Sequence, residues 1–211
     1  MFNIVTSVGR LQNLKALKNH LQPQNVKWHV ITDQDLGFSI NFFEPWVKSY
    51  ICPNNHKEFW ARCHYALNWF LETQEINDDE YYCFLNDDDG YEPDFFKKIR
   101  ELIIDVKNKN NVDPDVIIVS MMRGDNVPIV ESHRVAHPTD YLPAHPDNMQ
   151  IGRIGMEQYI VRGKIAKRYR FANEICGDGM YIIEIVRNHG AVFAPYINAW
   201  FNYFEPGRWN K

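Results

Sequence analysis

The stretch Tyr81-Tyr82-Cys83-Phe84-Leu85-Asn86-Asp87-Asp88-Asp89-Gly90-Tyr91-Glu92-Pro93 runs from five apolar residues straight into three consecutive carboxylates. Its apolar part is too short for a helix and is bounded by turn-forming residues, so Tyr81 to Leu85 reads as a buried strand. Upstream, Phe2 to Ser7 reads as a strand. Leu11, Leu14, Leu17 and Leu21 then recur at helical spacing. Trp28 to Thr32 forms a second short apolar run ending at Asp33, and Phe59, Cys63, Ala66, Leu67 and Phe70 mark another helix. Downstream, Pro93 suits the first turn of a helix, where its missing N–H costs nothing; Phe95, Phe96, Ile99 and Ile103 carry the periodicity. Val116 to Met122 is a fully apolar strand. Strands alternating with helices predict an α/β fold with a mainly parallel sheet, whose ligands bind beyond the carboxyl ends of the strands. The acidic run sits at such an end.

From about Arg123 to Arg153 the pattern dissolves into Pro, His, Asp and Asn. So long an irregular stretch in a compact domain points to a functional loop. Met156 to Val161 is strand-like, Lys164 to Arg170 reads as a short basic helix, and Met180 to Arg187 as a further helix. Phe193 to Trp209 is an aromatic tail. With 211 residues, 45% of them hydrophobic, the chain is long enough for one domain with its own core. A net charge of −4 without a basic stripe argues against a nucleic-acid partner. Cys52, Cys63, Cys83 and Cys176 show no metal-ligand spacing or disulfide framework, which suits reduced thiols in a cytosolic setting. The amino terminus lacks the charged and apolar regions of a signal peptide, and no segment approaches a membrane span, so a cytoplasmic protein is expected.

Three adjacent carboxylates repel one another and need a cation or strong hydrogen-bond donors close by. A hard divalent cation on a sugar-nucleotide diphosphate would meet that need, because it takes oxygen ligands and neutralises the leaving group. The same repulsion makes a solvated turn the weaker explanation. A calcium loop of EF-hand type fails, because Leu85 would hold its first ligand position and Phe96 its bidentate-glutamate position.

In Leu85-Asn86-Asp87-Asp88-Asp89-Gly90-Tyr91-Glu92-Pro93 the chain resembles the GT-A glycosyltransferases, in particular the inverting family 2, whose DxD motif follows a strand. Aligned on the proline, Asn86 stands for the first family aspartate and Asp88 falls on the metal ligand. Aligned on the acids alone, Asp87 and Asp89 form the motif, with Asp89 as ligand. Both registers stay open. Thr6-Ser7-Val8-Gly9-Arg10 resembles the family's first strand and loop, Asp33 its base-contacting aspartate, and Ala61-Arg62 its helical Ala-Arg-Asn with Cys63 in place of Asn. The resemblance thus implies a GT-A (Rossmann-like) sheet with nucleotide-sugar contacts from Thr6, Ser7, Gly9, Arg10, Asp33, Arg62, Asn86, Asp87 and Asp88. It also implies Mn2+ or Mg2+ held by Asp88 and Asp89.

Cys176-Gly177-Asp178-Gly179 resembles the family's Glu-Asp pair at a helix start, where a carboxylate acts as general base; only Asp178 matches, since Gly177 holds the Glu position. The plainer role for an Asp between glycines is a helix cap. His133, His137 and His145 match no metal spacing and read as solvated, and His189 reads as a helix-end residue with a weaker claim on the cation. The resemblance implies an inverting transfer from a nucleotide diphosphate sugar, UDP favoured, to a hydroxyl of a glycan or related acceptor. Residues 1–122 would serve the nucleotide and 123–211 the acceptor, within one domain that is short for the family and so suited to the amino-terminal part of a longer protein. Two other readings compete. A sugar-nucleotide nucleotidyltransferase would want a glycine-rich loop after the first strand, where only Gly9 is found. A non-catalytic carbohydrate- or cation-binding module would hold an ion in the acidic run.

Overall fold

The computed structural model describes residues 1–33, 44–53, 58–123 and 141–201. Its elements run β1 (Phe2–Ser7), α1 (Leu11–Leu21), β2 (Lys27–Asp33), β3 (Val47–Cys52), α2 (Phe59–Thr73), β4 (Tyr81–Phe84), β5 (Gly90–Tyr91), α3 (Phe95–Asn110), β6 (Val116–Arg123), β7 (Tyr159–Arg162), α4 (Gly163–Ala166), α5 (Gly177–His189) and β8 (Val192–Phe201). The strands form one eight-stranded sheet in the order β3-β2-β1-β4-β7-β6-β8-β5. Strands β3, β2, β1 and β4 are parallel, as are β6 and β8; β7 runs antiparallel to both neighbours, and β5 antiparallel to β8. The expected mixed, mainly parallel sheet flanked by helices is therefore borne out.

Helices cover both faces, so consecutive strand residues enter opposite cores, and this is why the strands read as unbroken apolar runs. Ile4, Val30, Cys83, Ile117 and Val119 pack with Leu14, Leu17, Phe96 and Ile99 of α1 and α3. Val5, Ile31, Phe84, Ile118 and Val161 pack with Cys63, Leu67, Phe70, Tyr181 and Ile185 of α2 and α5.

The structure departs from the sequence reading at several elements. Strand β3 was not anticipated, because an edge strand with a mostly exposed middle carries little periodic signal. The aromatic tail contains β8, whose Ala194, Ala199 and Trp200 are buried. Its pairing with β6 shifts register between Val119 and Ser120, where the Ser120 hydroxyl donates to the Pro195 carbonyl at 2.9 Å. The strand-like Met156–Val161 stretch divides into a 3-10 turn, Met156–Gln158, and β7. The basic helix contracts to α4. Pro93 lies in the turn ahead of α3, not in its first turn, and α5 begins at Gly177, which places Asp178 inside the helix. His133, His137, Tyr203, Phe204 and Trp209 lie outside the described residues.

Candidate active site

The carboxyl ends of β1, β2 and β4 lie side by side, and their pairing continues past the strand ends. Leu85 donates to the Val5 carbonyl at 3.0 Å, and Val8 to that of Ile31 at 2.9 Å. These bonds bring the loop after β1 against the acidic run. Asp87, 1% exposed, accepts at one oxygen from the Gly9 amide (2.7 Å) and the Arg10 amide, and at the other from the Arg10 guanidinium. The same guanidinium nitrogen lies 3.1 Å from Asp88 Oδ1. Asn86 Nδ2 donates to Asp89 Oδ2 at 2.9 Å. An aspartate at position 86 could not donate and would add a fourth charge, which gives the departure from the family motif a physical reason.

Burial works against the charge of Asp87 and raises its pKa above the ordinary carboxylate range, while Arg10 and the Gly9 and Arg10 amides pull it back. Burial likewise opposes the Arg10 charge, but Asp88, Asp87 and Asp89 outweigh it and the pKa is raised. Three donors aimed at its oxygens favour the ionised form of Asp87. The repulsion noted in the sequence is thus offset in part by a cation belonging to the chain.

Arg62, on α2, meets Asp33 at the end of β2 with Nε and Nη2 both 2.7 Å from Oδ2. One residue further along α2, the Cys63 thiol donates weakly to Asn86 Oδ1 at 3.8 Å and bonds Ser7. Burial, with Asp87, Asp178 and Asp88 adding to it, pushes that thiol up to about 12, so it stays protonated. Asp87, Asp88 and Asp178 therefore all lie within electrostatic reach of one buried thiol. Asp178, in the first turn of α5, accepts from its own amide and those of Gly179 and Met156; burial nonetheless raises its pKa. A half-buried carboxylate with a raised pKa is suited to take up a proton.

Gly177 cannot carry the family's glutamate. A Cβ there would lie 2.0 Å from the Ala172 carbonyl oxygen and 2.7 Å from His64 Nδ1. His64 is buried and stacked on Phe171 at 5.7 Å, and burial lowers its pKa to about 4, so it is a neutral wall of the α5 entrance. Gly177→Ala is expected to destabilise the fold by ~1–3 kcal/mol, the usual cost of overpacking. A chemical-denaturation midpoint equal to that of the unaltered chain would refute this.

Of the residues singled out in the sequence, the structure brings together Ser7, Gly9, Arg10, Asn86, Asp87 and Asp88, with Asp89 behind them. Thr6 is fully buried, its hydroxyl accepting from the Trp28 indole at 3.0 Å, so it faces the core. His189 ends α5, opposite the turn that holds Asp178, and pairs with the Tyr169 hydroxyl at 3.0 Å. His145 is exposed beside Asp147. Glu157, 1% exposed, was not foreseen. Its charge acts on the Tyr91 and Tyr159 phenols, which also feel Asp89 and Asp178 respectively. Nothing in Met156-Glu157-Gln158 distinguishes it from a surface glutamate. Among the described residues no group of three or more His, Cys, Asp or Glu is arranged to hold a metal ion. No helix among them is long and apolar enough to cross a membrane.

No family model and no curated protein matches the sequence. Solved structures do match the fold. Residues 1–349 of TarS from S. aureus, a GT-A glycosyltransferase, superpose with a TM-score of 0.54 at 14% identity, covering 97% of this chain and 58% of that one. A second TarS structure gives 0.58 at 13% identity over 95% and 35%. A 4-diphosphocytidyl-2C-methyl-D-erythritol synthase gives 0.49 at 9% over 97% and 92%. The chain spans 58% or less of the TarS chains it matches. It has the GT-A, Rossmann-like fold.

Proposed function

We propose that the chain is a glycosyltransferase that moves a sugar from a nucleotide diphosphate sugar, UDP-linked by preference, to a hydroxyl of a glycan or related acceptor, with inversion. The observation that carries this reading is that Asp178 acts on the same buried thiol, Cys63, as Asp87 and Asp88, which lie in a GT-A sheet beyond the carboxyl ends of the strands. Asp33 and Arg62 would receive the nucleoside end of the donor, and the loop Ser7–Arg10 with the acidic run its diphosphate. Asp178 would accept the proton of the acceptor hydroxyl as its oxygen forms a bond to the anomeric carbon. The bond from that carbon to the diphosphate oxygen breaks, and its electron pair leaves with the nucleotide. A single carboxylate on the acceptor side suits one displacement and therefore inversion. The second half of the chain, from about residue 123, would select the acceptor.

The donor set fits a divalent cation in kind, since carboxylate oxygens are ligands for Mg2+ and Mn2+. Asp87 has both oxygens committed to Gly9 and Arg10, so the residues that would hold the ion are Asp88 and Asp89, which would exchange their contacts with Arg10 and Asn86 for it. Such an ion would supply charge neutralisation on the departing diphosphate.

Calorimetric titration tests this with UDP, GDP and their common sugar conjugates, with and without manganese, into the unaltered chain and into Asp87→Ala, Asp88→Ala and Asp89→Ala. We expect one nucleotide series to bind, with Asp88→Ala and Asp89→Ala abolishing the part that needs manganese. Asp87→Ala should weaken binding with or without metal, because it releases the loop that carries Arg10. Binding of a nucleoside triphosphate together with a sugar phosphate, but not of the sugar nucleotide, would replace this reading with a nucleotidyltransferase. If no nucleotide binds under any condition, the reading fails and a non-catalytic module takes its place.

A further inference from the structure

At the other end of the sheet, the amino ends of β1 to β4 and the carboxyl end of α2 line a half-open cavity of about 390 Å3. It lies on the α2 face, far from the acidic run along each strand, and nothing in the transfer reading uses it. Its volume falls in the ~300–1,000 Å3 range of small-molecule sites, but such sites are mostly apolar with a few polar groups. Here the lining is mostly polar, which points to a ligand rich in hydrogen-bonding groups.

The floor of the cavity is a directed hydrogen-bond chain. Glu80, as a carboxylate, only accepts, so the 2.9 Å bond from Asn3 presents the Asn3 amide nitrogen to it and leaves Asn3 Oδ1 for His29 Nε2 at 3.0 Å. His29 must then carry its proton on Nε2, and its Nδ1 accepts the Tyr50 hydroxyl at 3.0 Å. Lys27 donates to Glu80 at 3.0 Å and closes the chain. Burial, with Lys48 and Lys27 adding to it, lowers the His29 pKa to about 4, so the ring is neutral in this role. His29 is wedged between Tyr50, stacked at 5.9 Å, and the edge of Phe70 at 5.1 Å. Tyr50 thus has its proton committed to His29 and an oxygen able only to accept. At the rim, Lys48 and Asn77 are exposed and Gln74 is half-buried.

The charges of the lining balance: Lys27 and Lys48 stand against Glu75 and Glu80. A phosphate or carboxylate ligand would meet as much repulsion as attraction, whereas a neutral polyhydroxyl compound would find both donors and acceptors beside the half-buried Tyr50 ring. We propose that this cavity is a second ligand site, separate from the transfer site, that binds a neutral saccharide through the Lys48, Gln74 and Asn77 rim and the Tyr50 oxygen, which the His29–Asn3 chain presets as an acceptor. The proposal does not depend on the transfer reading.

The test is an amide-resolved NMR titration of the full chain with glucose, galactose, N-acetylglucosamine and maltose, and separately with inorganic phosphate. At least one neutral sugar should move amides of β2, β3 and the end of α2 at millimolar concentration, without moving those of residues 85–89. The double variant Lys48→Ala, Gln74→Ala changes side chains at the rim only, so its spectrum elsewhere should match that of the unaltered chain. It should bind the sugar about tenfold more weakly, while UDP titration of the transfer site stays as it was. The proposal is overturned if no sugar moves those amides, if phosphate moves them and sugars do not, or if the double variant binds sugar as tightly as the unaltered chain. Failure of UDP to bind bears on the transfer reading alone.

Discussion

Asp178→Asn should bind the nucleotide sugar as tightly as the unaltered chain yet transfer its sugar ~10²–10⁴-fold more slowly, the usual contribution of a positioned general base. The substitution keeps the side chain's size and one acceptor oxygen for the amides of Asp178, Gly179 and Met156, and removes only the ability to take a proton. Because burial holds the Asp178 pKa above the ordinary value, which is ~3.9 for an unfolded aspartate, the acid limb of the rate profile should lie above that value and vanish in the variant. The sign for stability runs the other way. A carboxylate whose pKa is raised by folding stabilises the fold fully below the unfolded pKa, and that stability is lost as pH rises through the folded one. At neutral pH, Asp178→Asn should therefore be no less stable than the unaltered chain. Single-turnover rates and denaturation midpoints across pH measure both effects. Unchanged turnover in the variant would remove Asp178 from the chemistry.

Arg10→Ala should cost ~3–5 kcal/mol of folding stability at neutral pH, the typical penalty for removing one partner of a buried ion pair. Arg10 is 10% exposed and its partners Asp87 and Asp88 are 1% and 5%; without it, two carboxylates are left buried with no positive charge from that loop. The Gly9 and position-10 amides would still reach Asp87, so the loop is expected to loosen without losing its anchor. Asp87 already has a raised pKa, and the variant pushes it higher. By the same sign rule, the deficit should shrink as pH falls through that folded pKa, because a neutral Asp87 no longer needs a counter-charge. Arg10→Lys keeps the charge but not the planar fork, and should fall between the two. A loss below ~1 kcal/mol in Arg10→Ala, the level of an exposed pair, would mean that Arg10 does not hold the acidic run together.

Much of the frame was legible because it rests on local periodicity. β1, β2, β4 and β6 are apolar runs of strand length and α1, α2 and α3 carry helical stripes, so each shows its burial in its own residues. The acidic run was legible for the same reason, as charge placed abruptly at the end of a buried strand. Elements at the margins were not. Strand β3 alternates poorly at the sheet edge, and β8 gains its strand character from pairing with β6 after a register shift at Pro195. The resemblance brought Asp178 into view, but Gly177 made sense only once the Ala172 carbonyl and His64 were found in the space of its missing side chain.

The sequence by itself determined the order of β1, α1, β2, α2, β4, α3 and β6, the position of the carboxylates at a strand end and the two-faced burial of those strands. These follow from the spacing of apolar and charged residues within short windows. The tertiary structure alone decided what those carboxylates do. Asp87 is held by Gly9 and Arg10, 78 and 77 positions away, while Asp89 is held by Asn86 beside it. It also decided that Glu157 is buried and that Asn3, His29 and Tyr50 form one directed chain from three strands. Such pairings depend on which strands lie next to each other and in what register, and long-range proximity of that kind leaves no mark in the local pattern of either partner.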